Sequence, residues 1–186
     1  MANIAIFEGA RGTGKSTLTH RFRQMIPHTT LINPTGFHDD GELGLRKVRE
    51  YYYSWLDFLK FMEDHDSNII LDRFYFSEQI FSKKYKNYDF TDIYNQLNEH
   101  LFATNNEVKI FHLKADPEVL KERLVRDKVP FGKAEESVKE SIWQQNAYTE
   151  LFEELLNDYP DVEFHKIKTN KSIEVIDKIV RPWVFN

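Results

Sequence analysis

The feature that most constrains this chain is a glycine-rich run near its N-terminus. Residues 9 to 16 read Gly-Ala-Arg-Gly-Thr-Gly-Lys-Ser and match the pattern GxxxxGK[ST]. An apolar stretch, residues 4–7, precedes the run, and a helical pattern, residues 17–22, follows it. In this setting the glycines let consecutive backbone N–H groups turn inward towards phosphate oxygens, and the helix presents its positive end to the same point. The sequence therefore predicts a phosphate-binding loop between a strand and a helix.

Two side chains of this loop have separate predicted roles. Lys15 is expected to reach the outer phosphates of a bound nucleotide, and the hydroxyl of Ser16 is expected to bind a Mg²⁺ ion that bridges them. The residues predicted to contact the nucleotide are Gly9, Ala10, Arg11, Gly12, Thr13, Gly14, Lys15, Ser16 and Thr17.

The composition limits the remaining possibilities. The 186 residues, 41% of them hydrophobic, fit one domain spanning residues 1–186. The net charge of -5 argues against long nucleic acid as a partner, and the absence of cysteine excludes disulfides and thiolate zinc sites. The sequence has neither a signal peptide nor an apolar run long enough to span a membrane. We therefore expect a cytoplasmic protein that does not engage a membrane.

The order of strands and helices predicts the fold class. Strand patterns occur near residues 3–8, 29–33, 68–72, 108–113 and 162–167, and helical patterns lie between them, including a long amphipathic one at 43–64. Such alternation predicts an α/β protein with a five-stranded parallel sheet and helices on both faces. Ligands of these sheets bind at the carboxyl ends of the strands, where the glycine-rich loop is expected to lie.

A carboxylate and a guanidinium follow the third predicted strand. Asp72 could hold a water on the metal ion or orient an acceptor, and Arg73 could bind an anionic substrate group through two parallel hydrogen bonds. A structural salt bridge at the end of the strand is the alternative for this pair.

Three segments together resemble the thymidylate kinase family. Residues 7–17, FEGARGTGKST, resemble its FEGxDGxGKST; residues 72–77, DRFYFS, resemble its DRYxxS; and residues 113–123 resemble its LxxDPExxxxR. This resemblance implies a P-loop fold of the nucleoside monophosphate kinase type with a short lid near residues 127–135. It also implies transfer of the γ-phosphoryl group of ATP to a nucleoside monophosphate, with ATP and Mg²⁺ as cofactors. The resemblance further implies a homodimer that forms through the long aromatic helix.

The resemblance also implies roles for particular residues. Arg73 would contact the acceptor nucleotide, and Asp72 would serve the metal and the acceptor side. Arg123 and Arg126 would flank the lid, and because they are three residues apart they share one helix face. Their alternative is a plain solvated helix surface. The predicted catalytic set is Lys15, Asp72, Arg73, Arg123 and Arg126.

Further residues are candidates for binding the acceptor. Tyr52, in the aromatic segment of the long helix, could stack against a base as the equivalent helix does in the family, although core packing also explains it. Arg46 and Arg49 near the start of that helix could bind the acceptor phosphate. Phe37, in the loop after the second strand, could pack against the base or only against the protein surface.

The chain departs from the family pattern at two places. Arg11 replaces an aspartate of the glycine-rich loop, which puts thymidine specificity in doubt; Arg11 could instead stabilise the transferring phosphate or be solvated. Asn33 stands where the family and the related deoxynucleoside kinases have a carboxylate, which favours an acceptor that is already anionic.

Three other functions stay open at this stage. A deoxynucleoside kinase could take its base from Glu8, Asp39, Asp40 or Asp72. A polynucleotide 5′-end kinase and a nucleotide-binding module without turnover are the other two alternatives.

Overall fold

The computed structural model describes residues 1–126 and 134–185, with only the backbone of residues 134 and 135. Five strands form one fully parallel sheet in the order β2-β3-β1-β4-β5. Their bounds are β1 Asn3–Gly9, β2 Thr29–Ile32, β3 Asn68–Asp72, β4 Glu107–Lys114 and β5 Glu163–Lys168. The predicted five-stranded parallel sheet is confirmed.

Helices connect the strands in the expected alternation. The bounds are α1 Lys15–Met25, α2 Gly41–Phe61, α3 Tyr75–Phe81, α4 Thr91–Phe102, α5 Pro117–Arg126, α6 Ala134–Asp158 and α7 Ile173–Val184. A 3₁₀ turn, Met62–Asp64, extends α2, and a π-helical turn, Ser82–Lys86, extends α3. This last turn differs from the predicted irregular connection at 83–89, and two of its side chains, Lys84 and Tyr85, are hydrogen-bonded to Glu140 of α6.

The sheet is buried on both faces, as parallel sheets generally are. Alternate residues of β1 point to opposite sides: Ile4 and Ile6 join the core under α2, α3, α4 and α6, whereas Ala5 and Phe7 join the core under α1 and α7. Glu8, the next residue of the first set, is therefore carried into the α6 face with no exposed surface.

The carboxyl ends of the strands define one rim of the sheet. Glycine-rich residues follow β1, and Asp72 and Arg73 lie at the end of β3, which pairs with β1 so that Phe7 is opposite Asp72. The ends of β4 and β5 lie at the same rim, with Lys114 opposite Lys168. Among the described residues, no helix is both long enough and apolar enough to cross a lipid bilayer.

Candidate active site

The glycine-rich loop has the backbone of an anion-binding turn. Gly12 and Gly14 have φ angles of 81° and 84°, which residues with a Cβ adopt only with strain. Gly14 is the residue before α1, and no side chain of the described chain caps this helix. The first N–H groups of α1 therefore remain available to an anionic ligand. Ser16 and Thr17 are exposed in this first turn.

Lys15 and Asp72 form a buried ion pair. The Lys15 Nζ lies 2.5 Å from Asp72 Oδ1, and the two side chains are only 6% and 3% exposed. Burial lowers the pKa of Lys15 and the neighbouring Arg73 guanidinium lowers it further, while the Asp72 carboxylate opposes both effects. A salt bridge at the end of β3 was the alternative to a functional role for Asp72. The structure shows such a salt bridge, and its partner is the loop residue Lys15, whose ammonium group it holds beside the phosphate-binding backbone.

A cavity of about 450 Å³ opens over this loop. Residues 10–18 line one side, and the predicted residues Arg73, Arg123 and Arg126 line it as well. Sequence reasoning missed the remaining wall, which belongs to β4, to the segment after β5 and to α7. The missed residues are Leu113, Thr169, Lys171, Ser172, Ile173 and Ile176. The usable signal was topological, because the carboxyl end of β5 had to lie at the same rim.

Arg123 ties this wall to the loop. Its guanidinium donates to the backbone oxygen of Gly12 at 3.1 Å, and to the Oγ1 and backbone oxygen of Thr169 at 3.2 and 2.5 Å. Arg126 reaches the same cavity one turn later. Residues 127–133, which form most of the predicted lid at 127–135, lie outside the described residues; residues 134 and 135 already belong to α6.

Arg11 lies at the edge of the loop with an exposed side chain. Its backbone N–H donates to Gln144 Oε1 of α6 at 3.3 Å. The position allows either role predicted for its guanidinium, which stays a prediction.

Arg73 is held in an uncommon backbone conformation. Its φ of 76° lies in the left-handed region, which costs a residue with a Cβ about 1–2 kcal/mol. Its backbone N–H donates to the Phe7 oxygen at 3.0 Å, and its guanidinium donates to the Tyr148 hydroxyl at 3.4 Å. The guanidinium also lies 5.7 Å from the centre of the Phe81 ring. Contacts with β1, α3 and α6 thus hold the Arg73 side chain in the lining of the cavity.

The other predicted acceptor residues lie further from the loop. Phe37 is 42% exposed and packs edge-on against Tyr51, with 5.3 Å between the ring centres. Arg46 is exposed, and the guanidinium of Arg49 lies 6.0 Å from the Tyr53 ring. None of these three lines the cavity over the loop. Their contact with an acceptor remains a prediction.

Tyr52 is a core residue whose hydroxyl lies near the loop after β2. Its ring contacts Phe74, Tyr75 and Phe90 and is fully buried. The hydroxyl has no hydrogen-bond partner among the described residues. A Cβ placed on Gly36 would lie 3.3 Å from that oxygen. Packing in the core, which was the alternative for Tyr52, therefore accounts for its ring, and its hydroxyl borders the loop after β2.

Glu78 is a buried carboxylate near the loop after β2 that the sequence patterns did not single out. It is buried in α3, where Lys86 Nζ lies 2.7 and 2.9 Å from its two oxygens and the Tyr88 hydroxyl donates to it. A Cβ on Gly36 would lie 2.4 Å from Glu78 Oε2, so only glycine fits there without a shift. A carboxylate therefore borders the loop after β2, although none occurs in the expected position of the sequence.

The oxygen atoms offered at the loop suit a hard metal cation that is also coordinated by a bound phosphate group. The described residues contain no cluster of three His, Cys, Asp or Glu side chains that could hold a metal ion alone. They do offer the exposed Ser16 hydroxyl and the Asp72 carboxylate at the loop. Oxygen donors in such small number fit Mg²⁺, which keeps waters and binds substrate phosphates.

Comparison with known proteins identifies the fold. The YorR protein from Bacillus subtilis, solved with phosphorylated GDP, is 22% identical, with a TM-score of 0.66 over 97% of this chain and 95% of that one. Deoxyadenosine kinase from M. mycoides with bound dATP is 16% identical, with a TM-score of 0.61 over 99% and 100% of the two chains. Thymidylate kinase from Candida albicans is 15% identical, with a TM-score of 0.61 over 98% and 91%.

These similarities show to which structural class the fold of this chain belongs. The sequence matches no protein-family model and none of the curated proteins compared with it. The chain has the fold of P-loop kinases, and the resemblance noted in its three motifs is confirmed at that level.

Proposed function

We propose that this protein is an ATP- and Mg²⁺-dependent kinase. It transfers the γ-phosphoryl group of ATP to a nucleoside monophosphate, either of a ribonucleoside or of a deoxynucleoside. The observation that carries the proposal is the convergence of Lys15, Arg73, Arg123 and Arg126 on one cavity over the glycine-rich loop. Phosphoryl transfer needs positioning and neutralisation of charge more than covalent chemistry, and four cations around one loop supply both.

Each part of the site has a task in this proposal. The loop amides and Lys15 bind the phosphates of ATP. Ser16, together with the Asp72 oxygen that is not paired with Lys15, would hold Mg²⁺, which would neutralise charge on the phosphate oxygens. Arg73 binds the acceptor phosphate from the opposite side. Arg123 keeps the loop and the segment at Thr169 together around the nucleotide.

The hydrogen bonds and ion pairs of the carboxylates at the rim favour an acceptor substrate that is already anionic. A nucleoside hydroxyl needs a base, whereas the oxygen of a monophosphate is already a nucleophile and needs cations. Glu8 accepts hydrogen bonds on both oxygens, Asp72 is paired with Lys15, and Asp39 is paired with Lys47. Three of the four carboxylates that could act as the base are thus already engaged, and the fourth, Asp40, is exposed, while Arg73 lines the cavity.

A deoxynucleoside kinase is the second candidate, and Glu78 is the observation that favours it. This carboxylate reaches the loop after β2 from α3, so a base could be present although Asn33 is not acidic.

A product assay distinguishes the candidates. The protein is incubated with ATP and MgCl₂ and with equal concentrations of nucleosides, their 5′-monophosphates or a 5′-hydroxyl oligonucleotide, and products are separated by chromatography. We expect diphosphates from the monophosphates and no turnover after addition of EDTA. Turnover of nucleosides alone would establish the second candidate, labelling of the oligonucleotide would indicate a polynucleotide kinase, and ATP binding without any product would indicate a non-catalytic module.

A further inference from the structure

A buried chain of hydrogen bonds lies directly behind the cavity. Tyr148 of α6 is fully buried, and its hydroxyl donates to Glu8 Oε2 at 3.0 Å and accepts from the Arg73 guanidinium at 3.4 Å. Arg73 lines the cavity, whereas Tyr148 and Glu8 do not. The chain of hydrogen bonds therefore connects a predicted substrate residue to two residues that lie outside the lining of the cavity.

Rigid elements fix the position of the Tyr148 hydroxyl. Glu8 is the penultimate residue of β1, and its other oxygen accepts the Phe74 backbone N–H at 2.6 Å. One turn earlier in α6, Gln145 binds both backbone groups of Ala115, with its Oε1 2.6 Å from the N–H and its Nε2 3.1 Å from the oxygen. Tyr148 is thus anchored from the sheet and from its own helix.

The directions of the two bonds define what the hydroxyl does. A tyrosine hydroxyl has one proton, which is directed to Glu8, and its oxygen accepts from Arg73, which can only donate. Phenylalanine at 148 would keep the ring, but it would leave Glu8 Oε2 and the guanidinium without this partner. Loss of one partner from a buried polar group costs more than the bond itself contributes.

We propose that Tyr148 is a positioning residue for the acceptor site, where its hydroxyl orients the Arg73 guanidinium against Glu8 so that α6 sets the place of the acceptor phosphate. This inference rests on the proposed function, because it assumes that Arg73 binds the acceptor. Tyr148 itself contacts neither substrate.

The test compares Tyr148→Phe with Tyr75→Phe. Tyr75 is a matched control, because its ring is equally buried and its hydroxyl donates to Asn98 at 2.8 Å, away from Arg73. We expect Tyr148→Phe to raise the KM for the acceptor about tenfold, the effect of losing one charged hydrogen bond, with the KM for ATP within twofold. Tyr75→Phe should leave both KM values unchanged while losing similar thermal stability.

A second measurement does not depend on turnover. In ¹⁵N spectra the Nη–H signals of Arg73, assigned by their absence in Arg73→Lys, should exchange slowly in the wild type and in Tyr75→Phe and rapidly in Tyr148→Phe, because Nη1 donates to the Tyr148 hydroxyl. Equal exchange in the two tyrosine variants, or an unchanged acceptor KM in Tyr148→Phe, would overturn the positioning role. Wild-type protein that phosphorylates no acceptor would refute the proposed function alone, and the exchange measurement would still decide the role of Tyr148.

Discussion

Two sides of the rim are constructed differently. The loop side, residues 9–17 with Arg123 and Thr169, is shaped by left-handed glycines and by side-chain bonds to backbone oxygens. The side after β2, residues 33–40 with Tyr52 and Glu78, is shaped by side chains that crowd around Gly36; we call it the acceptor side because we propose that the acceptor binds between it and Arg73. The difference teaches that the loop side depends on local backbone geometry, whereas the acceptor side depends on contacts between distant segments.

The largest expected effect is on the loop side. Lys15→Met should lower kcat by about 10³-fold or more, because it removes the charge nearest the transferred group. It also leaves Asp72 buried without its partner, so thermal stability should fall as well. The measurement is kcat at saturating ATP and acceptor, with circular dichroism to establish folding.

Lys168→Met is the matched control for that variant. Lys168 is 67% exposed at the same rim and pairs with Asp116 at 3.1 Å. It should keep near wild-type turnover. A folded Lys15→Met protein that retained a tenth of the activity would show that the loop side does not bind the transferred phosphate.

Glu8 lies between the two sides and gives the next largest effect, which is on stability. Burial raises the pKa of Glu8 from 4.5 to about 7, although Arg73 and Lys15 oppose the shift. Tyr148 donates to it, and its neighbour in register on β4, His112, is neutral at these pH values because burial lowers its pKa to about 3. Glu8 is thus the group in this cluster expected to titrate near neutral pH.

The raised pKa of Glu8 determines how the free energy of unfolding changes with pH. Between pH 4.5 and 7 the folded protein holds a proton on Glu8 that the unfolded chain has released, so this group's contribution to stability is lost as the pH rises. The loss should total about 3 kcal/mol of unfolding free energy. Denaturant titrations across this range should show it in the wild type and in Glu150→Gln, an exposed α6 control, but not in Glu8→Gln. Parallel curves of unfolding free energy against pH for all three proteins would contradict this prediction.

Gly36→Ala tests the acceptor side. The added methyl group would lie 2.4 Å from Glu78 Oε2, and overpacking of this kind costs about 1–3 kcal/mol. We expect the KM for the acceptor to rise roughly tenfold with the KM for ATP unchanged. Gly41→Ala is the control, because Gly41 has a φ of 57° but no atom within 4 Å of its added methyl group, so it introduces strain without a clash. Similar kinetics for the two variants would argue against crowding at Gly36.

The smallest effect is expected at Arg123. Arg123→Lys keeps the charge but loses the planar group that binds Gly12 and Thr169 together, so the KM for ATP should rise about threefold to tenfold. Steady-state kinetics with each substrate varied in turn measure this change. A comparable rise in the acceptor KM would show that the two sides are not independent.

The same division explains what the sequence could predict. The fold and the loop side followed from patterns along the chain: strand and helix periodicity, glycine spacing, and Lys15 with Ser16 at the start of α1. Glu78 escaped notice because its relation to Gly36 depends on the packing of α3 against a loop some forty residues earlier. The wall at Thr169 escaped notice because its residues carry no motif and meet the loop only through the strand order.

The left-handed backbone at Arg73 has a consequence for engineering. Glycine at this position would relax the φ of 76°, but it would also remove the guanidinium from the cavity and from the Tyr148 hydroxyl. The relief of backbone strain, about 1–2 kcal/mol, is opposed by the loss of a buried hydrogen-bond partner. Selection for heat resistance therefore gains little at this residue, while selection for turnover keeps the arginine.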